Sequence, residues 1–367
     1  MFSYINERKA LISEFIADYL QQKSKELSAV NVWGKDVSDR VNSFTKDGKM
    51  IRGALILFSH EMCGNLNQRY ALRSAAAIEL LQSYLLIHDD IMDRDKFRRG
   101  NPSIFHQYSL MFPNLPNDQS EHFGTSMGIC AGDVSIFLAL NLLLDDKSDP
   151  HIKNSVMELF FREMTLVGFG QMQDIYFGVS NKIPETKDVI DLYTYKTSRY
   201  TFSLPLKAGA LISGDTVNAE ILFNIGIKLG IIFQIRDDEL GLFGESDKIG
   251  KVAGSDVREG KMTIFMTELF PSLQSDEKEK ILSFFGKETA GADDIIYLRN
   301  IIDNKGIRDK VELIKKKLSD ECSELIASMH VAENYKDMIY KLLEYNLTGK
   351  SNFFCNIFLT VCLIRER

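Results

Sequence analysis

The chain has 367 residues, 45% hydrophobic and 26% charged, with a net charge of −7. That is an ordinary globular composition, and the acidic balance excludes the basic footprint that nucleic-acid binding requires. The five cysteines (Cys63, Cys130, Cys322, Cys355 and Cys362) are scattered without zinc-type spacing, so a reduced, cytoplasmic chain is expected.

Met1 to Lys9 lacks the basic-then-apolar layout of a signal peptide. Residues 8–28 carry Leu11, Ile12, Phe15, Ile16, Tyr19 and Leu20, a helical period. Residues 35–46 predict a second helix that breaks at Asp47-Gly48, and Arg52 to Cys63 predicts a third. Ala71 to Asp93 is a long helix, apolar nearly all round in its second half, and so central. Residues 111–124 contain two of the seven prolines and read as a loop. Ser126–Leu144, Lys153–Val179, Asp188–Ser213 and Ala219–Phe243 continue the helical pattern. No stretch alternates convincingly as a strand, and no apolar run reaches the length of a membrane span, so no transmembrane segment is expected. With few prolines and no Ser/Gly-rich linker, the chain reads as one all-α domain, a helical bundle over residues 1–349. An apolar tail of unassigned role follows at residues 350–367.

The chemistry concentrates at helix ends. In His88-Asp89-Asp90-Ile91-Met92-Asp93, Asp89 and Asp93 are four apart and share a helical face. Paired carboxylates at the end of an apolar helix repel each other, and a hard divalent cation such as Mg²⁺ relieves that cost. Arg98 and Arg99 follow at once, and guanidinium groups match phosphate oxygens. Carboxylates and then arginines point to a metal-bridged diphosphate. Asp145-Asp146-Lys147-Ser148-Asp149 repeats the acidic spacing, but it runs into Pro150 and lacks the arginines, so it reads as a loop. A second acidic end, Phe233-Gln234-Ile235-Arg236-Asp237-Asp238, places Gln234 one turn before Asp237. Two such ends meeting across a bundle cavity would hold a diphosphate between cations. The basic complement is Lys49 and Arg52 at a helix opening, Lys196-Thr197, Lys251 and Lys261.

Taken in order, Gly48-Lys49-x-x-Arg52, Gln82, Asp89-Asp90-x-x-Asp93, Arg98-Arg99-Gly100, Ala131-Gly132-Asp133, Gly170-Gln171-x-x-Asp174, Lys196-Thr197 and Phe233-Gln234-x-x-Asp237-Asp238 resemble the trans-isoprenyl diphosphate synthases, the polyprenyl synthase family, over roughly residues 40–270. The resemblance is nearest to archaeal-type geranylgeranyl diphosphate synthases. It implies an all-α fold around a deep central cavity, three Mg²⁺ per active site, isoprenoid diphosphate substrates and a homodimer. It further implies that Asp89, Asp93 and Asp237 ligate Mg²⁺ and, with Lys196, form the catalytic set. Arg98, Lys196, Thr197, Gln234, Lys251 and Lys261 would contact the allylic diphosphate, and Lys49, Arg52, Gln82 and Arg99 isopentenyl diphosphate. Asp174 would be a supporting acid, and Asp90 and Asp238 would support rather than ligate. The departing diphosphate would accept the proton lost after prenyl transfer. One departure stands out: the third acidic position of the second motif is Gly241.

Product length should follow the helix that ends in Asp89. Tyr84 lies five residues back, about 7.5 Å down the axis, and is the first bulky side chain there; Leu85 and Leu81 are smaller. An aromatic at that position alone resembles C20 synthases, with C15 as the alternative. Other readings are a class I terpene cyclase, since Asp237-Asp238-x-x-Gly241-x-x-x-Glu245 approaches its second metal motif, and a non-catalytic partner subunit of a prenyl synthase.

Overall fold

The computed structural model describes residues 1–144, 147–180, 182–244 and 254–349. It is all-α as expected, and among the described residues the strand content is one two-stranded hairpin. The described residues form two compact units, one from Met1–Met157 and Pro205–Ala219, the other from Glu158–Leu204 and the described residues 220–349. Lys251, Glu245 and the apolar tail lie outside the described residues, as do Asp145 and Asp146.

The first unit contains α1 (Phe2–Leu27), α2 (Trp33–Lys46), α3 (Ile51–Met62), α4 (Gln68–Asp93), β1 (Phe97–Arg98), β2 (Asn101–Pro102), α5 (Ile104–Ser109) and α6 (Asn117–Leu143). Ile5, Ile12, Ile16 and Leu20 line one face of α1 and are buried, each contributing about 1.5–3 kcal/mol of burial. α4 is central, packed between α3 and α6. Its alanines let neighbours approach closely: a Cβ on Gly53 of α3 would meet Ala75 O at 2.8 Å. On α6, Gly124, Gly128 and Gly132 repeat at four-residue spacing, so one face of that helix is bare backbone. Phe105 of α5 and Ile91 and His88 of α4 fill the groove this leaves. α6 begins at Asn117, inside the expected loop 111–124. Pro116 immediately precedes it as the N-cap, with φ of −53° and ψ of 144°, outside the helix, where its missing N–H removes no helical hydrogen bond.

The second unit takes most of α7 (Pro150–Val179), then α8 (Thr186–Leu192), a π-helix over Tyr193–Ser203, and α10 (Thr216–Phe243), which follows α9 (Leu204–Ile212). Beyond α10 come α11 (Ser255–Arg258), α12 (Ile264–Leu269), α13 (Ser275–Phe284), α14 (Ala292–Asn304), α15 (Ile307–Ser328) and α16 (Glu333–Thr348). Ile231, Ile235, Leu242, Ile264, Phe265, Leu298 and Ile302 form its core. The pattern over Asp188–Ser213 predicts one regular helix, yet the structure inserts eleven residues of π-helix. That segment, Tyr-Thr-Tyr-Lys-Thr-Ser-Arg-Tyr-Thr-Phe-Ser, is rich in β-branched, aromatic and hydroxyl residues that favour α-helix weakly. Its hydroxyls bond to backbone instead: Thr194 Oγ1 donates to Ile190 O (2.8 Å) and Ser198 Oγ to Ile227 O (2.6 Å).

α6 and α10 are each long and apolar enough to cross a membrane by length and composition, which a search for uninterrupted apolar runs overlooks. In the fold they are packed helices: Ala131, Ala139 and Leu142 of α6 and Leu229, Ile232 and Ile235 of α10 are fully buried.

Candidate active site

In the first unit, α4 ends at Asp93, where Arg94 turns left-handed at φ 60°. Asp89 and Asp93 lie one turn apart on this end and are half-buried. Asp90 between them is 0% exposed. Burial pushes its carboxyl up to about 7 against the opposing pull of Arg98. Arg98 Nε donates to Asp90 Oδ1 at 2.5 Å, and its Nη2 lies 3.5 Å from Asp89 Oδ2. Arg98 is itself 6% exposed, so this guanidinium is built into the acidic turn.

Arg99 goes elsewhere. Arg98 pairs with Asn101 across a hairpin whose two-residue loop is Arg99-Gly100, with φ of 54° and 74°. Two-residue hairpins need positive φ at both loop positions. Glycine supplies this freely, whereas arginine does so at a cost of about 1–3 kcal/mol. Asn101 Nδ2 donates to Asp47 Oδ2 (3.2 Å), tying the hairpin to the turn that precedes α3. Arg99 Nη1 accordingly donates to Phe44 O (3.3 Å) and lies beside Gly48. Burial lowers its pKa to about 10, with Asp47, Glu79 and Asp90 opposing.

Two of the expected isopentenyl diphosphate residues, Arg52 and Arg99, share a carboxylate that carries no motif. Glu79 of α4 is buried and accepts from Gly53 N–H at 2.7 Å. Burial raises its pKa, while Arg52 and Arg99 both pull it down. Arg52 is buried, and Lys49 and Gln82 are half-buried. The one sequence signal for Glu79 is an acid standing alone in the apolar half of α4, three residues before Gln82.

In the second unit the sites converge on Asp238, which is 0% exposed. Gln234 Nε2 donates to Asp238 Oδ1 (3.1 Å), as does Lys261 Nζ (3.3 Å). Tyr193 Oη donates to Asp238 Oδ2. Burial pushes this carboxyl up to about 6, with Lys261 the main counterweight. Thr197 Oγ1 donates to Gln234 Oε1 at 3.2 Å, and Lys196 Nζ donates to Asp174. Burial alone would depress Lys261, but Asp256, Asp238, Asp237 and Asp174 raise it well above its usual value. The neighbours of Asp237 along α10 are anchored too. Arg236 Nη1 donates to Tyr345 O (2.6 Å), and Lys315 Nζ to Glu239 Oε2 (3.1 Å).

Three close approaches shape this cluster. A Cβ on Gly170 of α7 would meet Lys196 N at 2.7 Å, so Gly170 lets the π-helix backbone reach α7 and brings Lys196 to Asp174 one turn on. A Cβ on Gly230 of α10 would overlap Ser198. A Cβ on Gly241 would overlap Asp256 Oδ2. The place of the missing third acid is thus taken by a carboxylate from fifteen residues further on. Asp256 stands five residues before Lys261 and carries no motif of its own.

For product length, Tyr84 is half-buried with its ring against His88, Leu85 is half-buried, and Leu81 is fully buried. The donors at the first acidic turn suit Mg²⁺: hard carboxylate oxygens one turn apart, beside a buried Asp90 Oδ2 without a hydrogen-bond partner. A magnesium site typically takes one or two carboxylates and completes its shell with water and phosphate.

A family model described as Polyprenyl synthetase matches residues 35–302. The chain is 29% identical over 348 residues to the geranylgeranyl diphosphate synthase of Sulfolobus acidocaldarius, covering 94% of this chain and 96% of that protein. It is 31% identical over 306 residues to the geranylgeranyl diphosphate synthase of Saccharolobus solfataricus, covering 82% and 86%. Among solved structures, geranylgeranyl pyrophosphate synthase from Corynebacterium glutamicum, complexed with isoprenyl diphosphate and magnesium, superposes with a TM-score of 0.83 at 26% identity, covering 93% of this chain and 98% of that one.

Proposed function

This chain belongs to the polyprenyl synthetase family, and from that premise we propose that it condenses isopentenyl diphosphate with an allylic diphosphate to give geranylgeranyl diphosphate and diphosphate. The relatives named as geranylgeranyl diphosphate synthases support the C20 product. One observation carries the site reading. In both acidic turns the second aspartate, Asp90 or Asp238, is fully buried and pinned by cationic or hydroxyl donors, while Asp89 and Asp237 stay partly exposed. The pinned carboxylate anchors the turn that carries its more exposed neighbour.

Asp89 and Asp93 on one turn and Asp237 on the other are the Mg²⁺ ligands of this reading. Bound Mg²⁺ would neutralise charge on the departing diphosphate. Lys196, Thr197, Gln234 and Lys261 hold the allylic diphosphate, and Arg98, bonded to Asp90, is a further contact to it in this reading. Lys49, Arg52, Gln82 and Arg99 hold isopentenyl diphosphate. With both substrates in place, the allylic C–O bond breaks, the isopentenyl double bond supplies electrons to the resulting cation, and the lost proton passes to the released diphosphate. Tyr84 stops the growing chain.

Exposed apolar side chains support a homodimer. Ile129 and Phe137 on α6, and Phe161, Phe169, Met172, Tyr176 and Val179 on α7, are all exposed, and apolar side chains left in water favour burial against a partner. Cys63, Cys130 and Cys322 are free thiols, in keeping with a cytoplasmic enzyme.

The test is incubation of the purified chain with Mg²⁺, labelled isopentenyl diphosphate and dimethylallyl, geranyl or farnesyl diphosphate in turn, with products sized by mass spectrometry. Label should enter a C20 diphosphate, and EDTA should abolish it. No incorporation with any allylic partner would remove the reading, and products ending at C15 would remove the assignment of length.

A further inference from the structure

His88 lies between the first acidic turn and the proposed floor of the product site, and its ring is held from two helices. On α4 it sits one turn after Tyr84, with ring centroids 4.8 Å apart in an edge arrangement at 65°. On α6 its Nε2 is 3.2 Å from Ile129 O and 3.7 Å from Asp133 Oδ1. Between these two residues comes Gly132, where a Cβ would overlap Nε2 and Cδ2 of the ring. The imidazole therefore occupies the volume that a side chain at position 132 would take. Gly132 ends the Gly124-x₃-Gly128-x₃-Gly132 stripe that brings α6 against α5 and α4.

We infer that His88, seated on Gly132, is a positioning residue for product length: it braces the Tyr84 ring and so fixes where chain growth stops. The inference rests on the reading of Tyr84 as the floor. Tyr84 is only half-buried, so its packing leaves room for the ring to turn, and an aromatic edge contact is the kind of interaction that holds a ring in one orientation. His88 has two side-chain torsions and is confined on the α6 side by backbone. It cannot retreat from Tyr84 without leaving the groove. Removing the imidazole frees Tyr84 toward α6. Adding a methyl at position 132 displaces the imidazole at the far end of its side chain, with little backbone disturbance. Both changes act on the floor without altering Tyr84.

The experiment sizes the products of the full chain and of Tyr84→Ala, His88→Ala, Gly132→Ala and the Tyr84→Ala/His88→Ala double variant, with isopentenyl diphosphate, an allylic diphosphate and Mg²⁺. We expect His88→Ala and Gly132→Ala each to raise the ratio of products longer than the wild-type product by about fivefold, the loss of one edge contact. In the Tyr84→Ala background, His88→Ala should add nothing. Gly132→Ala leaves the residues beside Asp89 unchanged and carries the test if His88→Ala turns over too slowly to size. The inference is overturned if Tyr84→Ala lengthens the products while the other two variants keep the wild-type distribution. It is equally overturned if His88→Ala shifts the distribution by the same factor with and without Tyr84. Wild-type lengths from Tyr84→Ala would remove the floor itself and the brace with it, while leaving prenyl transfer intact.

Discussion

Tyr193 and Asp238, forty-five residues apart, share a buried hydrogen bond in which Tyr193 Oη donates to Asp238 Oδ2 while accepting from Ile264 N–H at 2.9 Å. Burial and the neighbouring carboxylate raise the Tyr193 pKa well above its usual value, so the phenol remains a donor. Tyr193→Phe leaves one buried acceptor and one buried donor unmet. A loss of about 2–3 kcal/mol in stability is expected, with turnover down by about tenfold as Asp237 loses its fixed neighbour. Urea unfolding and steady-state kinetics read the two effects. A variant that matches wild type in both would show that the Asp238 network does not depend on this phenol.

Glu79 is the shared counter-charge of Arg52 and Arg99. Glu79→Ala removes the buried counter-charge that both guanidinium groups share and should cost about 3–5 kcal/mol. Glu79→Gln keeps the shape and removes the charge. We expect it to raise KM for isopentenyl diphosphate by about tenfold and to leave KM for the allylic substrate nearly unchanged. Equal changes in both constants would mean that Glu79 has no preferential link to one substrate.

Gly170 and Gly168 stand two residues apart on α7 and should respond oppositely to alanine. A Cβ at Gly170 meets the Lys196 backbone, at 2.7 Å from N and 2.9 Å from Cα, whereas a Cβ at Gly168 has open space. Backbone cannot swing aside, so Gly170→Ala should cost about 1–3 kcal/mol and lower turnover by pushing Lys196 away from Asp174. Gly168→Ala should stabilise by about 0.5–1 kcal/mol with activity unchanged. Melting temperatures and kcat for the pair, measured side by side, decide it.

His60 supplies a pH dependence remote from the acidic turns. It is buried in α3, its Nε2 bonded to Leu66 O, and burial lowers its pKa below the usual 6.5. The folded chain therefore takes up a proton less readily than the unfolded one. The stability linked to His60 is present above pH 6.5 and is lost as pH falls through the lower folded value. Melting curves from pH 8 to 5 should show a decline below pH 6.5 that is shallower in His60→Gln. Parallel profiles for the two proteins would place the acid sensitivity elsewhere.

The sequence alone determined the helical class and the identity of most charged groups at the two acidic turns. Apolar residues at helical spacing leave little choice of secondary structure, and two carboxylates one turn apart at the end of such a run, followed by two arginines, repel each other unless a cation lies between them. It missed partners whose meaning is purely spatial. Glu79, Tyr193 and Asp256 carry no motif, because each matters through what lies beside it after folding. Arg98 and Arg99 are adjacent in the chain and read as one pair. A two-residue hairpin sends one to Asp90 and the other toward Gly48, since positive φ at consecutive positions reverses the backbone between them. Only the fold decided that a carboxylate from position 256 fills the space a side chain at Gly241 would take, and that the stretch around Lys196 winds as a π-helix against Gly170 and Gly230. Periodicity reports which face of a helix is apolar; it carries no information on how near another backbone comes.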